Sequence, residues 1–243
     1  MHRYVERWYR KYMQAGDLVS FSVKVKESDL FIFAEKDLKK EAEARLLRER
    51  RNLEAYIRYD PRFAESLTPI PVPSFAPRIC RRMGWAAQEA GVGPMAAVAG
   101  AINEAIAEEL LPFSPELIIE NGGDLLVTSS RDRLVAVYAG EDSPFSFRIG
   151  IRLRGGSTWG VATSSGKVGP SLSFGHADAV VVVAKSAALA DAWATSLANR
   201  VRKREDVASV LRLAQRIPSL EGVVVVFEDL LGVEGNIELE KLT

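Results

Sequence analysis

Apolar residues alternate with polar ones in short runs along this chain, and those runs define its strands. Phe21, Val23 and Val25 alternate with Ser22, Lys24 and Lys26, a turn is expected at Glu27 to Asp29, and Leu30 to Ala34 returns. A two-residue period of this kind predicts a β-hairpin. From Lys36 to Tyr59 the period becomes helical. Leu38, Ala42, Leu46, Leu53 and Ile57 share a face, Glu41 with Arg45 and Glu54 with Arg58 pair charges one turn apart, and Pro61 ends the run. The prolines of Thr68 to Pro77 predict an extended connection, because proline lacks the donor that helices and central strands use. Helices follow over Arg78 to Glu89 and from Met95 onward, the second with Gly93 as its cap and Pro94 in its first position.

Strand-like runs then dominate. Glu116 to Glu120 and Asp124 to Thr128 flank Asn121-Gly122-Gly123, and Leu134 to Ala139 and Phe145 to Leu153 continue the pattern. A strand ending in Val161-Ala162-Thr163 runs into a hydroxyl-rich loop, Thr163 to Gly166, a second glycine-bounded segment spans Gly169 to Gly175, and Ala179 to Ala184 is a further strand. The helix starting near Ser186 carries Asp191, Thr195 and Asn199 at four-residue steps, hence on one face, against an apolar stripe of Leu189, Trp193, Leu197 and Val201. A second helix through Ile217, a strand over Val223 to Phe227 and a final strand within Gly235 to Thr243 complete the chain. Hairpins joined by short turns predict an α+β fold with largely antiparallel sheet, and the order of elements has a weak two-fold pattern.

Composition narrows the function classes. Apolar residues at 47% and charged ones at 26% describe a globular chain long enough for one large domain or two small halves. Lys plus Arg and Asp plus Glu are both 32, so no global field favours nucleic acid or an anionic membrane as partner. The basic and aromatic stretch Arg3 to Tyr12 is read as packing onto the body rather than as a nucleic-acid surface. Cys80 is alone, which excludes a disulfide framework or thiolate cluster, suits a reducing cytoplasm and predicts a buried, inert thiol. The longest uncharged run in mid-chain, Ala90 to Asn103, is shorter than the ~20 residues a span needs, and the N-terminus lacks a secretory core, so a soluble cytoplasmic protein is expected.

The chemistry-bearing residues are few. No HExxH, CxxC, nucleophile elbow or Walker loop is present, and Ser164 and Ser165 have no evident base for an acyl-transfer triad. His176, beside Asp178 in SFGHAD, is a candidate acid or base, or else a hydrogen-bonded structural histidine. Asn121-Gly122-Gly123 is either a tight hairpin turn or a place where ligand phosphate approaches the main chain with Asp124 positioning it. The helix start at Gly93-Pro94 offers an anion site or close packing, and Gly100 answers a packing need. Asp191 and Thr195 supply oxygen ligands of the kind magnesium takes, or form a solvated helix face.

Three of these segments together carry a resemblance. NGGD at Asn121 to Asp124, VATSSG at Val161 to Gly166 and ADAWATS at Ala190 to Ser196 occur in the order of the GGD, A-x-T-S-G and A-D-A-x-x-T motifs of the ApbE-like flavin transferases. With VGPMAAVAGAI, ENGGD, GPSLSFGHADA and ADAWATSLAN, the chain resembles the UPF0280 branch of that superfamily over most of its length. The resemblance implies a duplicated T-fold, here a single domain over residues 1–243 with pseudo-repeat halves of about 15–140 and 145–243. It implies FAD or FMN as ligand and magnesium held by Asp191, Thr195 and the Ala162 carbonyl, with Gly122, Gly123, Asp124, Thr163, Ser164 and Gly166 lining the dinucleotide site. The chain departs from the transferase pattern in two places. GPSLSFGHADA stands where a D-P-x-T-G block is expected, and the T-S-G motif has an additional serine. Two functions stay open: a magnesium-dependent enzyme acting on a flavin or another phosphorylated metabolite, and a small-molecule-binding or assembly protein that keeps the fold without transfer chemistry. The open sheet edges of such folds also lead us to expect a homo-oligomer.

Overall fold

A computed structural model describes residues 7–166 and 175–242. Its frame is one antiparallel sheet of eight strands, and two passes of the chain build it. In the first pass the hairpin β1 (Val19–Val25) and β2 (Ser28–Ala34) is followed by α1 (Lys39–Tyr59), α2 (Arg62–Glu65), α3 (Arg78–Ala90) and α4 (Val98–Leu110). The second hairpin, β3 (Leu117–Asn121) and β4 (Asp124–Ser129), then lies beside β2. After an excursion through β5 (Arg133–Ala136) and β6 (Ile149–Leu153), the pattern recurs. β7 (Ser157–Ser164) and β8 (Ala179–Ala184) lead to α5 (Ala187–Ala198) and α6 (Asp206–Ala214), and β9 (Leu220–Phe227) returns with β10 (Leu230–Gly235). The order across the sheet is β1-β2-β3-β4-β7-β8-β9-β10.

Strand alternation makes this sheet the middle of three layers. Leu126, Ala162, Val180 and Val182 project into the helix layer. Leu125, Val161, Val181 and Val183 project into a second core beneath a small sheet of β5, β6 and β11 (Glu238–Lys241). A strand covered on both faces has no polar side to present, which is why β8 reads AVVVVA without alternation. Cys80 lies fully inside the helix layer, and burial pushes its thiol up to about 12. No single helix among the described residues is long and apolar enough to cross a membrane.

Several boundaries differ from the sequence expectation: the strand expected over Leu134 to Ala139 ends at Ala136, and the helix expected through Ile217 ends at Ala214. The first hairpin turns at Lys26-Glu27, with Val25 opposite Ser28 and Lys26 at φ 53°, because Asp29 is paired with Lys24 inside the ladder. The strand expected over Phe145 to Leu153 starts only at Ile149, since the preceding residues form turns with Phe147 at φ 54°. The tail holds two strands, β10 and β11, parted at Gly235, whose φ of 99° bends the chain from one sheet to the other. Pro94 to Ala97 form a 3₁₀ turn, so the α-helix itself begins at Val98.

Candidate functional site

The site grows from the β3–β4 turn. Gly122 and Gly123 take φ of 71° and 104°, the left-handed pair that a two-residue hairpin loop requires, and Asp124 follows as the first residue of β4. Antiparallel pairing of Leu125 with Val161 places Asp124 beside the end of β7, where its Oδ1 accepts the Thr163 N–H at 3.0 Å. Asn103 of α4 donates Nδ2 to the Asp124 carbonyl at 3.1 Å. The turn is held from below by Glu120. Its Oε1 accepts the Gly123 N–H at 2.8 Å and the Tyr9 hydroxyl at 2.7 Å, and its Oε2 accepts Arg10 Nε at 2.6 Å.

Asp191 reaches the same place from α5. Its Oδ2 accepts the Gly100 N–H at 2.9 Å, so the unpaired N-terminal donors of α4 end on a carboxylate of the neighbouring helix. The exchange is mutual. Glu104 of α4 accepts the Ser186 hydroxyl at 2.6 Å and the Ala188 N–H at 3.1 Å, capping α5, and pairs with Arg82 at 2.8 Å. This docking leaves no room for a side chain at two glycines. A Cβ on Gly100 would stand 2.1 Å from the Ala187 carbonyl oxygen, and one on Gly160 2.3 Å from the Ala187 Cα.

Electrostatically the two carboxylates are a strained pair. Burial first, and then the charge of Asp191, hold the Asp124 carboxyl well above the ordinary carboxylate range. Burial also raises Asp191, against which the N–H groups of Gly100 and Ala99 pull. Among the described residues neither acid has an ion-paired cation. Two buried polar atoms on the elements that build the site, Ser164 Oγ on β7 and Asn103 Oδ1 on α4, have no hydrogen-bond partner among the described residues. Ser164 shares the helix-facing side of β7 with Ala162, two residues away.

The glycine turn, the strand end at Thr163 and the Asp191 helix therefore converge, although they are far apart in sequence. Thr195 and Asn199 continue the Asp191 face and, with it, are the half-open positions on a helix otherwise buried all round. Thr163 meets Asp124 through its backbone, and Ala162 is buried beside it. Gly166 serves packing: its N–H donates to the Ala177 carbonyl, and a Cβ there would stand 1.9 Å from the Gly175 carbonyl oxygen. His176 is exposed with Nδ1 3.0 Å from the Arg202 carbonyl, and Asp178 accepts the Glu228 N–H at 2.5 Å, so both hold the backbone of other loops. Of the segment Gly169 to Gly175, only Gly175 lies within the described residues. Sequence reading gave no role to Glu120, which stands at the head of the ENGGD block, or to Asn103 and Glu104, which carry no motif. Glu104 had one signal, its position one turn after Gly100 on the same face.

An eight-stranded antiparallel sheet between a helix layer and a small sheet gives this chain the ApbE-like fold. Solved structures of that fold superimpose along nearly the whole chain. A point mutant of the flavin transferase ApbE from Vibrio cholerae gives a TM-score of 0.57 at 12% identity over 90% of this chain and 97% of that one. The ApbE protein of Thermotoga maritima gives 0.53 at 13%, over 91% and 96%. At such identity the likeness is one of fold. The family model described as AbpE bacteria matches residues 10–219. A UPF0280 protein of Methanocaldococcus jannaschii is 40% identical over 220 residues, covering 88% of this chain and 89% of the relative. Another, from Methanopyrus kandleri, is 38% identical over 225 residues, covering 90% and 91%. The chain belongs to the UPF0280 family.

Proposed function

We propose that the Asp124–Asp191 pair is a hard-cation site serving a phosphorylated, nucleotide-like ligand, with magnesium as the cation and FAD or FMN as the first ligands to test. One observation carries the reading: two half-buried carboxylates from separate elements are brought within each other's field, with raised proton affinity and no ion-paired cation among the described residues. The donor set fits the ion. Magnesium takes one or two carboxylates and completes its shell with phosphate, carbonyl, hydroxyl or water oxygens, and Thr195, one turn on from Asp191, and the Ala162 carbonyl, one residue before Thr163, would be further protein oxygens for it. When bound, such an ion neutralises charge on a pyrophosphate. The chain's own contribution is positional. Glu120 fixes the Gly123 amide, Asp124 fixes the end of β7, and the small residues of the turn leave the main chain open to a ligand.

A second reading, a binding or assembly protein without transfer chemistry, is favoured by two features. The D-P-x-T-G block is absent, and the donors at the α4 N-terminus are already engaged by Asp191. We read the chain as one soluble, cytoplasmic ApbE-like unit with halves of about 15–140 and 145–243, self-associating through the edge strands β1 and β10. Isothermal titration and thermal unfolding with magnesium, alone and with FAD, FMN or pyrophosphate, separate the readings. A magnesium-dependent rise in melting temperature with one of these ligands is expected, and flavin covalently passed to a threonine-containing acceptor would make the protein a transferase. Wild-type protein without any metal response under these conditions overturns the cation site. Binding without transfer selects the second reading.

A further inference from the structure

A short strap, Arg7 to Met13, lies across the β3–β4 turn, and its first side chain reaches the two glycines. The strap is anchored through polar groups. Arg10 pairs with Asp29 and with Glu120, each at 2.6 Å, and the Tyr9 hydroxyl donates to Glu120 at 2.7 Å. Arg7 is held at one nitrogen only. Its Nη1 donates to the Asp29 carbonyl and stands 3.8 Å from Glu120 Oε1, while its Nη2 makes no hydrogen bond among the described residues. That Nη2 is also what a Cβ on Gly122 would meet, at 3.7 Å, and a Cβ on Gly123 would meet nothing within 4 Å. Among the described residues, the space over the turn is therefore open, with a guanidinium at its edge.

The other donors of this corner are engaged. The Gly123 N–H ends on Glu120, the Gly100 N–H on Asp191 and the Thr163 N–H on Asp124, and the Arg10 guanidinium is divided between two acids. Arg7 is the cation that keeps a donor toward the turn. Its charge is felt at the acid pair: burial and the Asp191 charge raise the Asp124 carboxyl, and Arg7 pulls against them.

We propose that Arg7 is a specificity-determining residue for the ligand, its Nη2 donating to a phosphate oxygen held over Gly122 and Gly123. A permanently charged guanidinium with directed N–H groups favours an anion over a neutral molecule of the same shape. The inference rests on the phosphorylated-ligand reading for the identity of the anion. The role of Arg7 and the cation site are tested separately.

The probes are magnesium alone and inorganic pyrophosphate with and without magnesium, titrated calorimetrically into the full chain. Wild-type protein should bind pyrophosphate. Arg7→Ala should weaken that binding by about tenfold or more, as loss of a charge-assisted hydrogen bond does, and Arg7→Lys should recover part of it. Added salt should weaken pyrophosphate binding more steeply in the wild type than in Arg7→Ala. Magnesium alone should bind Arg7→Ala at least as tightly as the wild type, because a repelling charge has left the field of Asp124. Tyr9→Phe loosens the strap and keeps the cation, so it should stay far closer to the wild type than Arg7→Ala does. No pyrophosphate binding by the wild type, or equal binding by Arg7→Ala, overturns the role of Arg7; a magnesium response that survives then leaves the cation site standing. Parallel loss of magnesium and pyrophosphate binding in Arg7→Ala, matched by Tyr9→Phe, makes the strap structural and overturns it as well. Pyrophosphate binding that needs Arg7 but neither magnesium nor Asp191 supports the inference and removes the cation-site reading instead.

Discussion

Asp191 and Asp124 are acids that the fold keeps protonated more readily than water would. Between the ordinary carboxylate value of 3.8 and the raised folded value, the native state binds more protons than the unfolded chain. Their contribution to stability is therefore fully present below the ordinary value and is lost as pH rises through the raised one. Asp191→Asn keeps an acceptor for the Gly100 N–H and removes the charge. Without metal, the variant should melt at or above the wild-type temperature at pH 8, and the difference should close toward pH 4; scanning calorimetry at both pH values is the check. A variant several degrees less stable at pH 8 would make Asp191 a structural acid. Protons and cations compete for the same oxygens, so the magnesium-induced rise should be largest at alkaline pH and fade on acidification. Thr195→Val should diminish it.

At the scale of elements, α4 and α5 hold one another by exchanged caps, Asp191 on one and Glu104 on the other. Glu104→Ala should cost roughly 0.5–2 kcal/mol, the usual worth of an N-terminal cap, measured as a lowered urea midpoint at unchanged slope. Gly100→Ala should cost about 1–3 kcal/mol, since the added methyl meets the Ala187 backbone and α5 must move to admit it. Because α5 carries Asp191, that shift should also weaken any magnesium response, which Glu104→Ala should reduce less. The same glycine was legible in the sequence as a packing residue in a helix of small side chains. Gly166, which its motif assigns to a ligand, also lies against the carbonyl of Gly175, a packing need that its sequence does not announce.

The whole molecule is a sheet clothed on both faces at its centre and open at its sides. Amide exchange should be slowest in β7, β8 and β9, which are paired on both sides and covered by both cores, and faster in β1 and β10. Among the described residues no strand lies outside those two edges, so light scattering should report a multiple of 26.7 kDa. A mass of one chain across micromolar concentrations would remove the self-association reading.

Local pattern determined much of this protein. The alternation of Phe21, Val23 and Val25, the helical period of Leu38 to Ile57, the proline connection and the uninterrupted apolar β8 each depend on neighbours within a turn or a ladder step, so they are written in adjacent residues. The polar face of Asp191, Thr195 and Asn199 was legible for the same reason. Contacts between distant segments were not. Nothing near Glu120 in sequence says that Arg10 and Tyr9 will cover it, and nothing near Gly100 says that its amide will end on Asp191. The last strand of the tail, β11, likewise depends on a partner far along the chain, β6, while β10 pairs with its sequence neighbour β9. The burial that raises Asp124 and Asp191 arises only when two strands and two helices close around them, and the charge of one acid on the other exists only in that packed arrangement.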